Sequence, residues 1–279
     1  MDYVDCLEND RVIRNFIQGK LWKKLKAQFR GQVVLPLFLH FDDYDPNSAL
    51  GSHANSHSLG ALYAFIPCLP PQLRSRIENM FLVIAMLTKD HKKCGNAIAF
   101  NPVIEELKYL QETGLSIYAN SVRHRVYFCY SLLVADNKGN NTVQGYVESF
   151  SANFYCRICK MHRNDASRKC CADAALRRNA DNYQTDVDRN DFTQTGVKDM
   201  CVWNKLPLYH NTQNISCDVM HDIYEGMLMC GLCAILRNLI VDREYFSLET
   251  FHERVAGFDY GPSDSGNKPC IARLTIDRF

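Results

Sequence analysis

Acidic side chains close two apolar runs in this chain. The β-branched and aromatic run from Val33 to Phe41 ends in Asp42, Asp43 and Asp45, and the run "RVYFCYSLLVAD" ends in Asp136. Such acids are either turn formers facing water or ligands of a cation, because carboxylates gathered a few ångströms apart repel unless positive charge lies between them. A third acid sits on the longest helical pattern, "DVMHDIYEGMLMCGLCAILRNLIVD", residues 218–242. There Asp218, His221, Asp222 and Glu225 recur at i, i+3, i+4 and i+7 and share one face. That face continues through Leu228, Leu232, Ile235 and Leu239, expected to pack on a sheet, so Glu225 stands where the polar face gives way to the buried one. Asp42, Asp136 and Glu225 together would suit Mg2+ or Mn2+, hard cations held by one or two carboxylates plus substrate phosphates. A pair of such ions supports in-line phosphoryl displacement. Asp42 is preferred over Asp43 because it directly continues the strand, and the choice between them stays open.

The sulfur residues suggest a second centre. "FYCRICKMH" holds Cys156 and Cys159 in C-x-x-C spacing, which lets two thiolates reach one tetrahedral Zn2+ from a tight turn. Further ligands are offered by "SCDVMH", with Cys217, Asp218 and His221, and by His162. A Zn2+ shared by these residues would clamp the start of an irregular segment to the start of the helix that carries Glu225. The plain alternative is that these are ordinary core groups. Cys230 and Cys233, inside the helical pattern, read as small apolar residues.

The elements that must position these groups follow from patterning. Val33–Phe41, "HSLGALYAFIPCLPP" and "MFLVIAMLTKD" read as three strands joined by short connections, an antiparallel meander. "NPVIEELKYLQETG" (101–114) reads as a helix, with Pro at its first turn and Gly past its end. A fourth buried strand spans 125–136, and "NNTVQGYVESFSANF" has room for a short helix. From Cys156 to Ser216 periodicity fades, and "NADNYQTDVDRND" reads as exposed loop. This order matches an α/β, RNase H-like mixed sheet flanked by helices, with a Cys/His-bearing, loop-rich insertion before a long C-terminal helix. In that fold the first and fourth strands are neighbours, which would bring Asp42 and Asp136 together. The expected division is 1–32, a basic helical segment; 33–155, the first part of the core; 156–216, the zinc-binding-type insertion; and 217–279, the returning helix, expected to be truncated.

The chain has 279 residues, of which 47% are hydrophobic and 23% charged, enough for a sizeable core. Its net charge of +1 gives no global pull toward nucleic acid, yet residues 11–30 hold seven Lys or Arg and no acid. As a helix face this would contact phosphates or simply be solvated. No run of 18 consecutive apolar residues and no charged-then-apolar leader is present, so an intracellular protein with no membrane partner is expected. Thirteen cysteines without such a leader point to thiols and metal ligands before disulfides.

The stretches "FDDYDPNSALGSHANSHSLGALYAFIPCLPP", "LLVADNKGNNTVQGYVESFSANFYCRICK" and "CDVMHDIYEGM" resemble the transposases of the CACTA (En/Spm-like) group and the related Kyakuja-Dileera-Zisupton elements. The resemblance covers roughly residues 33–270. It implies an RNase H-like catalytic core with a DDE acidic triad and metal-dependent DNA strand cleavage and joining. Carried over, the first acid falls on Asp42, the second on Asp136, the C-x-x-C on Cys156 and Cys159, and the D-x-x-H on Asp218 and His221; Glu225 is the best match to the third acid. "DPNSALGS" has one residue more before Gly51 than the common pattern, which leaves Asp42 against Asp43 unsettled. The partners implied are transposon ends and target DNA, bound by a homo-oligomer in the nucleus. The alternative function is a catalytically idle, transposase-derived DNA- or protein-binding module.

Overall fold

The structure, a computed structural model, describes residues 2–45, 58–169 and 171–259. The last twenty residues of the expected C-terminal region therefore lie outside the described residues.

In chain order, α1 (Asp2–Asn9) and α2 (Lys20–Lys26) precede β1 (Val33–Tyr44) and β2 (Leu59–Phe65). A short α3 (Pro71–Arg74) leads to β3 (Met80–Leu87), α4 (Thr88–Ala99) and α5 (Asn101–Glu112). A hairpin of β4 (Leu115–Ala119) and β5 (Val122–Val134) is followed by α6 (Asn137–Gln144), α7 (Arg163–Ala166), α8 (Ala180–Arg189) and α9 (Phe192–Thr195). The protein divides into two compact units, the second beginning at Asp218. That second unit carries one long helix, Met220–Asp242, in which α10 (Leu228–Arg237) is flanked by wider π turns, and then α11 (Leu248–Ala256).

The five strands form one mixed sheet in the order β3-β2-β1-β5-β4. β1, β2 and β3 are an antiparallel meander, although the connections expected to be short run over 45–58 and 66–79, whereas β1 and β5 run parallel. A parallel pair needs a long crossover, and α4 and α5 supply it. β1 is central and covered on both faces, which is why it reads as an almost unbroken apolar run. Leu37, Leu39 and Phe41 point into the larger core with Phe100, Ile104, Tyr130, Leu133 and Trp203. On the other face, Val34 joins Trp22, Leu25, Phe29 and Cys129 under the N-terminal helices.

Several expectations are corrected. The strand expected from 125 begins at Val122, because the hairpin with β4 extends it. β4 itself gave no sequence signal. Its two-residue turn uses Asn120 (φ 49°) and Ser121 (φ 63°), left-handed positions usually marked by glycine. The segment "NADNYQTDVDRND" is not a loop: Asn179 and Asn182 form a reciprocal capping box that starts α8. Nor is 156–216 loosely attached, since Tyr183, Val197, Cys201, Trp203, Leu206 and Tyr209 enter the same core as the sheet. The Trp203 indole N–H donates to the Val143 carbonyl at 3.0 Å.

In the long helix, Leu236 and Ile240 are the buried positions, while Leu228, Leu232 and Ile235 of the stripe expected to be buried are exposed. These three residues lie in the regular α-helical part, and the helix as a whole is mostly exposed, so no continuous buried stripe forms. By length (23 residues) and mean hydropathy (1.4) alone this helix could cross a membrane. Its first turns nevertheless carry His221, Asp222 and Glu225.

Candidate metal centres

The first candidate centre lies where β1 and β5 end. The parallel pairing ends with His40 against Val134, two residues short of Asp42 and Asp136. Asp42 goes on to pair with Ala61 of β2, and Asp136 lies two residues past the end of β5. Side-chain alternation also separates Asp42 from Asp43. Asp42 has the parity of Phe38, on the face away from the larger core, whereas Asp43 shares the parity of Phe41 and accepts the Thr88 hydroxyl at 2.6 Å. Asp43 thus serves the start of α4.

Asp136 is the N-cap of α6: its Oδ1 accepts the Gly139 N–H, satisfying an orphan donor of the helix terminus. The next residue, Asn137, leads to a group that the sequence reading overlooked. Arg157, between the two cysteines of the C-x-x-C, donates from Nη1 to Asn137 Oδ1 (2.7 Å) and from Nη2 to the Ser216 carbonyl (3.0 Å). Ser216 in turn donates its hydroxyl to the Leu133 carbonyl, and Asn214 donates to the Ser131 carbonyl at 2.9 Å. Residues 214–216 therefore run alongside the half of β5 that β4 does not cover, and they bring Cys217 to the neighbourhood of the C-x-x-C.

Cys156 and Cys159 sit in a knuckle shaped for negative sulfur. The Ile158 N–H donates to Cys156 Sγ at 3.4 Å, the Cys159 N–H does likewise, and the Met161 N–H donates to Cys159 Sγ. The Cys159 thiol donates to Cys156, and with these N–H groups and the charge of Arg178 it lowers Cys156 to about 6, against burial. Cys159 is pushed up, chiefly because it keeps the proton that Cys156 accepts and also by burial. The buried thiols behave oppositely: burial raises Cys68 to about 11 and Cys129 and Cys201 to about 12, so these are core groups. Cys230, expected to act as a core residue, is exposed.

Arg178 holds this region together. Its side chain is fully buried, and it donates to the Cys156 carbonyl (3.1 Å), Asp186 (2.9 Å) and the Thr195 carbonyl (2.6 Å). Lys160 adds a second cation to Asp186 at 2.7 Å. No sequence pattern distinguishes Arg178 from its neighbour Arg177. His162, the further ligand considered, caps α7 by accepting the Asn164 N–H on Nδ1 at 3.2 Å.

In the second unit, His221 joins two acids. Its Nδ1 lies 2.6 Å from Asp218 and its Nε2 lies 3.9 Å from Glu225, so the expected shared face is present. Among the described residues, no group of three or more His, Cys, Asp and Glu is arranged to hold a metal ion. The donors fit the expected metals in kind: paired thiolates with N–H support suit Zn2+, and paired carboxylates suit Mg2+ that completes its shell with phosphate oxygens. No protein-family model matches the chain, and no curated protein does.

Proposed function

We propose that this chain is a transposon-derived DDE-type transposase with an RNase H-like core, cutting and joining DNA strands in a metal-dependent reaction. The observation that supports this reading is the parallel β1–β5 pairing, which ends at His40 and Val134, two residues short of Asp42 and Asp136. Asp42 and Asp136 would hold Mg2+ or Mn2+. The metal supplies charge neutralisation at the phosphate and activation of the attacking hydroxyl. The chain's own part is positioning. The Asp136 cap to Gly139 fixes that carboxylate on the rigid start of α6, and Arg157 ties the next residue to the cysteine knuckle. Cys156 and Cys159, with Cys217 nearby in the same unit, would hold Zn2+. The substrates are transposon ends and target DNA in the nucleus, bound by a homo-oligomer.

The test incubates the purified chain with Mg2+ or Mn2+ and a DNA duplex, and counts strand breaks. Asp136→Asn is the control of choice, because asparagine caps a helix as well as aspartate but lacks the charge. Nicking by the wild type and its loss, by at least about a hundredfold, in the variant is expected. Equal breakage by both proteins would overturn the proposal.

A further inference from the structure

The β4–β5 hairpin is exposed on both faces, and its two faces differ. The pairs Ser116↔Arg125 and Tyr118↔Arg123 lie on one side, whereas Leu115, Ile117, Ala119, Val122 and His124 occupy the other. Arg123 and Arg125 are exposed, and Tyr118 is 72% exposed. Counting back by twos from Tyr127 identifies the side of the sheet to which the arginine face belongs. Tyr127 packs with Trp22, Leu25 and Phe29, so Arg123 and Arg125 project on the side covered by α2.

α2 presents Lys20, Lys23, Lys24 and Lys26 outward while Trp22 and Leu25 are buried. Arg30 follows, beside Phe29, whose ring lies 5.9 Å from that of Tyr127, and Gln32 donates to the Tyr127 hydroxyl at 3.3 Å. The basic helix and the basic hairpin are thus joined through one aromatic contact. Residues 11–41 and 113–135 contain no acidic residue. Glu112, exposed at the end of α5, stands just before the hairpin, and two acids of the N-terminal segment are engaged: Glu8 with Lys26 at 2.5 Å and Asp10 with Arg14 at 3.0 Å.

We infer that α2 and the β4–β5 hairpin form a single duplex-binding track that grips DNA phosphates at a distance from the acids. The inference rests on the transposase reading and adds to it the surface that holds the substrate. Arg123 lies at the start of β5 and Asp136 two residues past its end, a span of about 13 residues at ~3.3 Å each, or roughly 43 Å, which is about a dozen base pairs of duplex. The hairpin therefore meets backbone well away from the cut. Arg125 has a second duty, donating to the Gly114 carbonyl at 3.2 Å, and Arg123 donates to the Ser116 hydroxyl at 2.9 Å. These bonds hold the guanidinium groups on the hairpin face.

The experiment measures binding of a 30-base-pair fluorescent duplex by anisotropy at 50 and 200 mM NaCl. Each lost phosphate contact flattens the salt dependence by about 0.9 log units per log unit of salt, so Arg123→Ala/Arg125→Ala should shrink the wild-type loss of affinity between those salts by about twelvefold. Arg123→Lys/Arg125→Lys keeps the charges and should keep the slope. Lys20→Ala/Lys23→Ala/Lys24→Ala, which leaves the hairpin intact, should flatten it in the same sense. Wild-type binding with an unchanged slope in both alanine variants overturns the track alone. No duplex binding by the wild type overturns the transposase reading with it. Equal binding to phosphatidylserine vesicles, lost in the same variants, would make the surface a membrane contact and also overturn the inference.

Discussion

Replacing Arg178 by methionine should expose how much of the 156–216 region depends on one buried cation. The side chain is fully buried and satisfies three acceptors, with its guanidinium 5.5 Å from the centre of the Tyr146 ring. Methionine fills similar volume but donates nothing. Breaking a buried pair by removing one partner costs about 3–5 kcal/mol, since the other charge stays buried. Here Asp186, only 4% exposed, keeps Lys160 at 2.7 Å, which argues for the lower end of that range. The two orphaned carbonyls add to the cost. We expect a loss of about 3–4 kcal/mol, a large part of the ~5–15 kcal/mol that stabilises a typical domain. With a urea dependence of ~2–3 kcal/mol per molar, the midpoint should fall by about 1–2 M. Tryptophan fluorescence reports it, because Trp203 lies in the core that α8 joins. A midpoint within 0.3 M of wild type (roughly 1 kcal/mol) would refute this account of Arg178. The double substitution Arg178→Met/Asp186→Leu should recover part of the loss, because it removes both buried charges together.

Two further outcomes are expected. Alkylation of Cys156 by iodoacetamide in the metal-free protein should rise with a midpoint near pH 6, as its thiol is lowered to about 6. For Cys156 the sign is that of a depressed acid, stabilising above its unfolded value near 9 and losing that contribution as pH falls through about 6, whereas Cys159, raised by the shared proton, acts in the opposite sense. A single midpoint near 8.5–9 would show that the knuckle does not favour the thiolate. Trp203→Ala should cost about 3–5 kcal/mol in a urea melt, because it empties a fully buried site and removes the donor to Val143. A cost below ~1 kcal/mol would mean that 183–209 is not part of the sheet's core.

The central sheet was legible because burial on both faces leaves a plain mark. β1 reads as an apolar run from Val33 to Phe41, and α5 was announced by Pro102 and Gly114. What escaped shares a different physics. β4 is wholly exposed, so it has no buried stripe, and its turn achieves two left-handed residues without glycine. α8 buries Tyr183 and Asp186, with Val187 half-buried against the core, and the Asp186 charge is tolerated inside because Arg178 and Lys160 pair with it. Apolar periodicity cannot reveal a helix held by an ion pair. The long helix was visible, but periodicity reports an apolar face and not whether anything covers it: Leu228, Leu232 and Ile235 are exposed, and Leu236 and Ile240 are buried. At the candidate sites, residue types and spacing found the acids and the C-x-x-C. They could not find Arg157 or Arg178, whose roles arise from where the chain folds back, 20 and 8 positions from their side-chain partners Asn137 and Asp186.

Mn2+ binding followed by electron paramagnetic resonance tests the shared cation site most directly, because it needs neither DNA nor turnover. Wild type should bind Mn2+, and Asp42→Asn and Asp136→Asn should each weaken it by at least about tenfold, or ~1.4 kcal/mol, with Asp43→Asn close to wild type. Equal affinity in all four proteins, or a loss confined to Asp43→Asn, would contradict the account.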